Sequence, residues 1–318
     1  MTFRVLADVT PPNMLDPAGS EAHRLAGVWW LLLILATAVA LVVLGLMVVA
    51  LFRRGDAPDA EVAQGSPERD NRFIVVGGLV MPVIVLAVVA VATITSTAAL
   101  RQPRAEEVAV EVRGEQWFWR IHYTGTDVES ANVIRLPVDR PVALTLRSED
   151  VNHSFWVPSL AGKVDLIPGQ TNQLRFTPTK VGRFRGQCAE FCGLQHANMA
   201  FEVEVMDARA FDRWLAGRKQ PPDTPASAEA REGRRVFASS SCAGCHTVTG
   251  VSDGDDGPDL TDFASRRALG AGVTTNTPAH LAQWVRDAPS IKPGANMPPI
   301  PLTDQQVRAL VAYLESLQ

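Results

Sequence analysis

Two long stretches without any charged residue constrain this chain more than any other feature of its sequence. Residues 25–52 and residues 73–100 contain no Asp, Glu, Lys or Arg. A helix needs about 20 apolar residues to cross the hydrocarbon core of a bilayer, so both stretches are long enough. The first is also too long for the apolar part of a signal peptide, which has about 7 to 15 residues. We therefore predict two retained transmembrane helices, at 27–52 and 73–100, that form a hairpin in the lipid bilayer.

The segment between the two predicted helices indicates their orientation. It spans residues 53–72 and contains four arginines, which are Arg53, Arg54, Arg69 and Arg72. Short loops that carry arginine tend to stay in the cytoplasm. We therefore expect residues 1–26 to form an external N-terminal tail, and the chain after residue 100 to lie on the periplasmic, outer side of the cell membrane. Pro82 lies inside the second predicted helix, where we expect a kink that does not interrupt the span.

Beyond residue 106 the pattern changes to short runs that are rich in β-branched and aromatic residues. The clearest runs are Val108–Val112, Gln116–Ile121, Val142–Leu146 and Phe201–Val205. Turn-forming segments that contain Gly and Pro separate these runs. The spacing predicts an antiparallel β-sandwich or barrel over residues 101–215, with metal-binding loops at one end.

One segment of this predicted sandwich brings two thiols, an imidazole and a thioether close together in sequence. These residues are Cys188, Cys192, His196 and Met199, and His153 supplies a further imidazole from another segment. Cys and Met are soft ligands that select copper over hard cations, and imidazole also binds copper. We therefore predict a two-copper centre.

Three simpler interpretations of the same residues explain fewer of them. A disulfide between Cys188 and Cys192 would leave both histidines and the methionine without a role. A zinc site with two Cys and two His would not use the methionine. A single blue copper needs one Cys, two His and an axial Met, so the second Cys would have no function.

The ligand pattern resembles the dinuclear CuA site in subunit II of the haem-copper oxidases. The resemblance implies a cupredoxin-like fold for the sandwich. It also implies that Cys188 and Cys192 bridge the two copper ions, and that His153 and His196 each bind one of them.

The resemblance also implies weaker ligands and an electron-accepting residue. Met199 and the backbone carbonyl of Glu190 would be axial ligands, and the Glu190 side chain would help to hold a magnesium ion at the boundary with subunit I. Trp117 would accept electrons from cytochrome c, whereas Trp119 is expected to be a core or interfacial aromatic residue. The sequence departs from the family at Val75, because many subunits II carry a glutamate about two turns before the proline of the second helix.

A second cofactor motif follows the predicted sandwich. Residues 242–246 read Cys-Ala-Gly-Cys-His, which is the attachment pattern of a c-type haem. Its two thiols are spaced to reach both vinyl groups of one porphyrin, with the histidine beneath the iron. The proline-rich segment 216–226 is expected to be a semi-rigid linker. Capping signals predict helices that begin after Ser227, Thr277 and Thr303.

Three predicted helices around this motif make residues 227–318 similar to a class I cytochrome c. The resemblance implies that Cys242 and Cys245 attach the haem and that His246 and Met297 are the axial ligands of its iron. His/Met ligation raises the haem potential, which suits a donor to CuA. His280 is the competing ligand, but we expect it to be a surface residue.

Together these features resemble a cytochrome c oxidase subunit II with a fused cytochrome c. Such a subunit would accept electrons at its haem c from an external donor, such as a cytochrome c or a quinol–cytochrome c reductase. It would pass them through CuA to subunit I, where oxygen is reduced to water with proton translocation, and subunit III is a further expected partner. The short linker would give the tethered cytochrome an effective concentration in the millimolar range. The net charge of −4 gives no indication of a nucleic-acid partner.

Other functional classes fit the sequence less well. A CuA-containing periplasmic nitrogen-oxide reductase is an alternative, but the paired helices before the copper domain disfavour it. A quinol oxidase subunit II shares the helices and the sandwich but lacks the copper ligands. A zinc-binding receptor is the most distant alternative.

Overall fold

The computed structural model describes residues 11–53, 67–100 and 106–318, and these residues fall into two compact units. One unit contains the described part of residues 23–102, and the other combines residues 11–22 with residues 106–318. The first ten residues of the predicted tail and residues 54–66 of the predicted cytoplasmic loop lie outside the described residues.

The two uncharged stretches form long apolar helices, as predicted. The helices are α1 (Ser20–Arg53), α2 (Pro67–Val75) and α3 (Met81–Leu100), with a π-helical turn (Val76–Val80) between the last two. Within the described ranges, two spans are long and apolar enough to cross a membrane, Ser20–Phe52 and Asn71–Ala98. Two apolar helices of membrane-spanning length therefore precede the sandwich.

The π-helical turn lies immediately before Pro82. A proline has no N–H group, and its ring clashes with the carbonyl four residues earlier in an α-helix. At Met81 the backbone N–H group instead bonds to the carbonyl of Val76, which inserts one additional residue into the turn. The span continues through Pro82 to Ala98, so the proline does not interrupt it.

Helix α1 begins at Ser20 rather than at Gly27, so part of the expected tail is helical. The residues just before and after this start are bonded to the sandwich. The Ala18 N–H group donates to the Ser159 carbonyl at 2.6 Å, and the Ser20 N–H group donates to the Thr177 carbonyl at 2.9 Å. The Ser20 hydroxyl also accepts a hydrogen bond from the Thr177 N–H group at 3.0 Å. These long-range bonds have no signature in the local sequence.

Residues 108–206 form a sandwich of two five-stranded sheets. The first sheet has the order β3-β2-β1-β5-β8, and the second has the order β4-β10-β9-β6-β7. The strands are β1 (Val108–Glu115), β2 (Phe118–Tyr123), β3 (Glu129–Ala131), β4 (Val133–Pro137), β5 (Val142–Ser148), β6 (His153–Trp156), β7 (Val164–Leu166), β8 (Asn172–Phe176), β9 (Gly182–Cys188) and β10 (Ala200–Met206). This confirms the predicted β-sandwich.

The sandwich is not purely antiparallel, which corrects the sequence prediction. Strand β1 pairs in parallel with β5, and β4 pairs in parallel with β10. Each parallel pair joins strands that are distant in sequence, and alternation along a strand gives no information about its partner's direction. The core between the sheets contains Trp119, Ile121, Tyr123, Leu144 and Phe155, each at most 1% exposed.

The chain after the sandwich is helical, with four two-residue strands. Its helices are α4 (Ala208–Gly217), α5 (Ala228–Ser239), α6 (Cys242–Cys245), α7 (Pro278–Arg286), α8 (Ala288–Ile291) and α9 (Asp304–Leu314). Ser227 and Thr277 cap α5 and α7 as predicted, and Thr303 forms a capping box with Gln306 at the start of α9. Helices α5 and α9 approach closely at Gly233, because a Cβ atom there would lie 1.9 Å from the Ala309 carbonyl oxygen.

Candidate metal centre and haem-binding motif

The predicted copper ligands meet at one end of the second sheet. His153 is the first residue of β6, and Cys188 is the last residue of β9. Because β6 and β9 are neighbouring antiparallel strands, these two residues come together although they are far apart in sequence. The connection from β9 to β10 carries the other ligands, and it is closed by a bond of 3.0 Å from the Cys188 N–H group to the Met199 carbonyl.

Four of the donor atoms form a continuous chain of short contacts. His153 Nδ1 lies 3.9 Å from Cys188 Sγ, the two Sγ atoms of Cys188 and Cys192 lie 3.8 Å apart, and Cys192 Sγ lies 3.7 Å from His196 Nδ1. Donor atoms that share a tetrahedral metal with bonds of about 2.2 Å are about 3.6 Å apart. The arrangement of imidazole, two thiols and imidazole therefore fits metal ions placed between the donors.

The weaker predicted ligands lie beside the two sulfurs. Met199 Sδ is 3.7 Å from Cys192 Sγ, and the Glu190 carbonyl oxygen is 3.2 Å from Cys188 Sγ. Cys188, Cys192 and Met199 are all buried. Both cysteines are free thiols, and their separation far exceeds the 2.05 Å of a disulfide bond.

The electrostatics of the two thiols indicate that the site needs a cation. Hydrogen bonds from Cys192 and His153 lower the pKa of the Cys188 thiol, although burial opposes the change. The same Cys188 contact, with burial, raises the pKa of the Cys192 thiol. Two thiolates this close cannot both be charged unless positive charge lies between them, because like charges disfavour each other's ionisation. Copper ions at this position would supply that charge.

Asp150, which the sequence does not indicate as a site residue, orients one of the ligands. The Asp150 Oδ1 atom is 2.8 Å from His153 Nε2, so the other ring nitrogen, Nδ1, faces Cys188. Asp150 also accepts hydrogen bonds from the N–H groups of Gln116 and Val151, each at 2.6 Å. Carboxylates that bond the outer nitrogen of a ligating histidine fix the ring orientation. No sequence spacing identifies a carboxylate that supports a ligand. The position of Asp150, three residues before His153, is only compatible with its contact to the His153 ring.

The two tryptophans of the aromatic stretch contact the metal loop in different ways. Trp117 is half-buried, and its Nε1–H group donates to the Cys192 carbonyl at 3.0 Å. Gln116 donates to the same carbonyl at 2.7 Å. Trp119 is fully buried and donates to the Met199 carbonyl at 3.3 Å, which confirms its expected place in the core.

The haem-attachment motif is built around His246. Its Nδ1 atom lies 2.8 Å from the Pro258 carbonyl, so Nδ1 carries the proton and the lone pair of Nε2 is left to bind a metal. Burial lowers the pKa of His246, which favours the neutral, ligating form. Gly257 packs against the ring, because a Cβ atom there would lie 2.6 Å from the imidazole. Cys242 and Cys245, on the short helix α6, are free thiols, as haem attachment requires.

Comparison with known proteins supports both halves of the chain. The family model for the periplasmic domain of cytochrome c oxidase subunit II matches residues 125–206, and the family model for cytochrome c matches residues 230–318. Cytochrome c oxidase subunit 2 of Alkalihalophilus pseudofirmus is 34% identical over 313 residues, which cover 96% of this chain and 90% of that protein. The chain belongs to the cytochrome c oxidase subunit II family. It is therefore a subunit of an oxidoreductase complex.

Two further similarities come from a second relative and a solved structure. Cytochrome c oxidase subunit 2 of a Bacillus species is 34% identical over 262 residues, covering 75% of this chain and 72% of that protein. The solved periplasmic domain of subunit II of cytochrome oxidase from Bradyrhizobium japonicum is 29% identical, covers 37% of this chain and 96% of that chain, and has a TM-score of 0.35. The matched families imply copper in the sandwich and haem in the C-terminal part of this subunit.

The structure gives the burial of three further residues, His280, Met297 and Phe191. His280 is half-buried rather than on the surface, because its Nδ1 atom lies 3.0 Å from the Thr275 carbonyl and from two threonine hydroxyls. Met297 is half-buried in the segment between α8 and α9, and its role as an iron ligand stays a prediction. Phe191, at the tip of the metal loop, is 76% exposed, and the sequence gives no sign of this exposure.

Proposed function

We propose that this subunit accepts electrons from an external donor at a haem attached to Cys242 and Cys245. It then passes them through a dinuclear copper centre to subunit I, where oxygen is reduced to water with proton translocation. Bound copper and haem supply the one-electron chemistry. The observation that carries this proposal is the chain of four donor atoms at 3.7 to 3.9 Å, which suits two metal ions held by two shared sulfurs.

The residues of the copper centre have distinct proposed roles. Cys188 and Cys192 would be shared by the two ions, and His153 and His196 would each hold one ion. Met199 and the carbonyl of Glu190 would be weaker ligands of these ions. Burial of the sulfurs excludes water, and the strands that carry the ligands limit their movement when the charge changes.

Roles outside the copper ligands are proposed on the family resemblance and on placement. His246 and Met297 bind the haem iron, and Trp117 accepts electrons for the copper centre, since its indole bonds directly to the Cys192 backbone. The exposed side chain of Glu190 is available to bind a magnesium ion together with subunit I.

The proposed arrangement in the membrane follows the predicted domain limits. Residues 27–52 and 73–100 cross the cell membrane, residues 53–72 face the cytoplasm, and residues 101–215 and 227–318 lie on the periplasmic side. Subunit III and a donor cytochrome c or quinol–cytochrome c reductase complete the proposed assembly.

Metal and haem analysis of the purified oxidase complex tests this function. We expect two copper ions and one covalent haem for each copy of this chain, with the EPR signal of a mixed-valence copper pair. Cys188→Ser should abolish that signal and oxygen consumption with reduced cytochrome c, while the covalent haem remains. Zinc in the site, or a disulfide between Cys188 and Cys192 in the active complex, would refute the proposal.

A further inference from the structure

A buried lysine joins the haem-binding part of the chain to the copper domain. Lys292 is 3% exposed, and its Nζ atom donates to three backbone carbonyls. Two belong to the copper domain, Trp117 at 2.7 Å and Asn198 at 3.0 Å, and the third is Gly270 at 2.7 Å. A lysine ammonium group has three protons, so these bonds use its full donor capacity. Burial lowers the pKa of Lys292 to about 7, whereas the three carbonyl acceptors favour the protonated amine. The buried ammonium group therefore depends on all three hydrogen bonds, which narrowly define the geometry around it.

The residues that follow Lys292 lie directly on the copper loop. The Gln195 side chain donates to the Pro293 carbonyl at 2.8 Å, and Gln195 is itself held by the Asn198 side chain at 2.7 Å. Gly294 lies against the Trp117 indole, because a Cβ atom at Gly294 would be 3.1 Å from its Cζ3 atom. Gln195 lies between the ligands Cys192 and His196, so these contacts reach the metal loop itself.

Further backbone and ionic contacts hold the haem-binding part against the rest of the chain, one of them beside the Lys292 acceptors. The Ala200 N–H group donates to the Ala271 carbonyl at 2.9 Å. Arg135 donates to Asp262 at 2.7 Å, and Arg218 donates to Asp259 at 3.2 Å, with all four side chains at most 7% exposed. The haem-binding part is therefore held by buried ion pairs and backbone bonds as well as by the linker.

Position matters here because electron transfer between two centres slows exponentially with their separation and depends on the groups between them. Lys292 and Gly294 begin the segment that leads to Met297, the proposed iron ligand. They contact Trp117, the residue proposed to accept electrons for the copper centre. One short segment thus links both proposed cofactor sites.

We propose that Lys292 is a positioning residue for electron transfer within this chain: its three carbonyl bonds fix the haem-binding part over Trp117 and the copper loop. The inference rests on the proposed function, because it assumes that the haem supplies the copper centre. The position of Gly294 against the Trp117 indole agrees with the proposed entry of external electrons at the haem rather than at Trp117.

The variant Lys292→Met tests this role in the purified oxidase complex. Methionine keeps an unbranched side chain but removes all three donors, which leaves the carbonyls of Trp117, Asn198 and Gly270 without their partner. A ruthenium complex reduces the haem rapidly on illumination, and electron transfer from haem to copper is then followed. We expect this transfer to slow about tenfold or more, because small misplacements of reacting groups can lower rates by such factors. The haem spectrum, the copper EPR signal and the rate of haem reduction by soluble cytochrome c should stay unchanged. Lys219→Met, at an exposed lysine, is the matched control.

A second variant tests the contact of the same segment with Trp117 and leaves Lys292 in place. Gly294→Ala places a methyl group against the Trp117 indole, at a backbone φ of +86°. Gly125→Ala introduces the same residue at a φ of +79° with no atom within 4 Å, so it controls for backbone strain. Gly294→Ala should slow transfer from haem to copper, whereas Gly125→Ala should not.

The outcomes separate this inference from the proposed function. Unchanged transfer in both Lys292→Met and Gly294→Ala, with intact spectra, would refute the positioning role alone. Absence of any transfer from haem to copper in the unsubstituted complex would refute the proposed function and this inference with it. Altered copper EPR in Lys292→Met would also overturn the inference, because the lysine would then shape the metal site itself.

Discussion

Replacement of Asp150 by Asn should weaken copper binding without removing any copper ligand. Asp150 bonds His153 Nε2 at 2.8 Å and accepts from two backbone N–H groups at 2.6 Å, on Gln116 and Val151. Two of these three partners bond Oδ1 and the third bonds Oδ2. An amide has one acceptor atom, so in either orientation its NH₂ group faces an N–H group of the protein. Asn also removes the negative charge that makes His153 a stronger ligand.

The size of the effect follows from the behaviour of other residues that support metal ligands. Loss of such a partner costs about 10- to 100-fold in metal affinity. At about 1.4 kcal/mol for each factor of ten, the loss is about 1.4 to 2.8 kcal/mol of copper-binding free energy. We expect the lower half of this range, because the Asp150 side chain is 31% exposed and water can replace part of what it provides.

Competition with a copper chelator measures this affinity in the purified subunit, with EPR to report the copper pair. Glu149→Gln is the matched control, because Glu149 is the preceding carboxylate, is 51% exposed and contacts only Arg113 at 3.4 Å among the ion pairs of the described residues. Glu149→Gln should leave copper affinity unchanged. If Asp150→Asn binds copper as tightly as the unsubstituted chain, the contact with His153 does not support the ligand.

Two further predictions concern stability. Burial of Asp262 favours its neutral form, but its contacts with three arginines, Arg266, Arg218 and Arg135, together outweigh burial and hold its pKa far below the usual range. Asp262→Asn should therefore lower stability by about 3 kcal/mol at neutral pH. The pKa of Asp262 in the folded state lies below its value of about 3.9 in the unfolded state. The stabilisation is therefore complete above about pH 3.9 and is lost as the pH falls toward the folded pKa. The melting temperatures of the unsubstituted chain and of Asp262→Asn should therefore converge in acid. Gly233→Ala should lower the free energy of unfolding by about 1 to 3 kcal/mol, since its methyl group would lie 1.9 Å from the Ala309 carbonyl oxygen. Gly217→Ala is the control, because a Cβ atom there has no atom within 4 Å. Equal melting temperatures of the two variants would contradict the close α5–α9 contact.

The features that could be predicted from sequence depend on residues that are close together in the chain. The cap at Ser227 and the capping box at Thr303 depend on residues at most three positions apart, and both are present. The uncharged stretches needed only a count of residues. The structure brings Cys188, Cys192, His196 and Met199 together because they lie in or beside one connection between adjacent strands, and their role as copper ligands stays a prediction.

The features that were missed depend on residues far apart in the chain. The Ala18 contact with Ser159 and the parallel pairing of β1 with β5 join segments whose local patterns say nothing about each other. Asp150 is an ordinary loop aspartate in sequence, and only the folded geometry places it behind His153. Lys292 carries no signal either, because a lysine is expected on the surface until its three acceptors are known.

The contacts of Lys292 change the physical interpretation of the linker. A flexible tether raises the effective concentration of a domain but leaves it many orientations, so only a fraction of them would support electron transfer. The three carbonyl bonds of Lys292 and the buried Arg135–Asp262 pair select one orientation. Two apolar surfaces of similar area could shift against each other with little loss of binding free energy. Buried charged groups, in contrast, must meet their particular partners or remain unpaired. The linker keeps the haem-binding part nearby, and we interpret the buried polar contacts as what fixes its orientation.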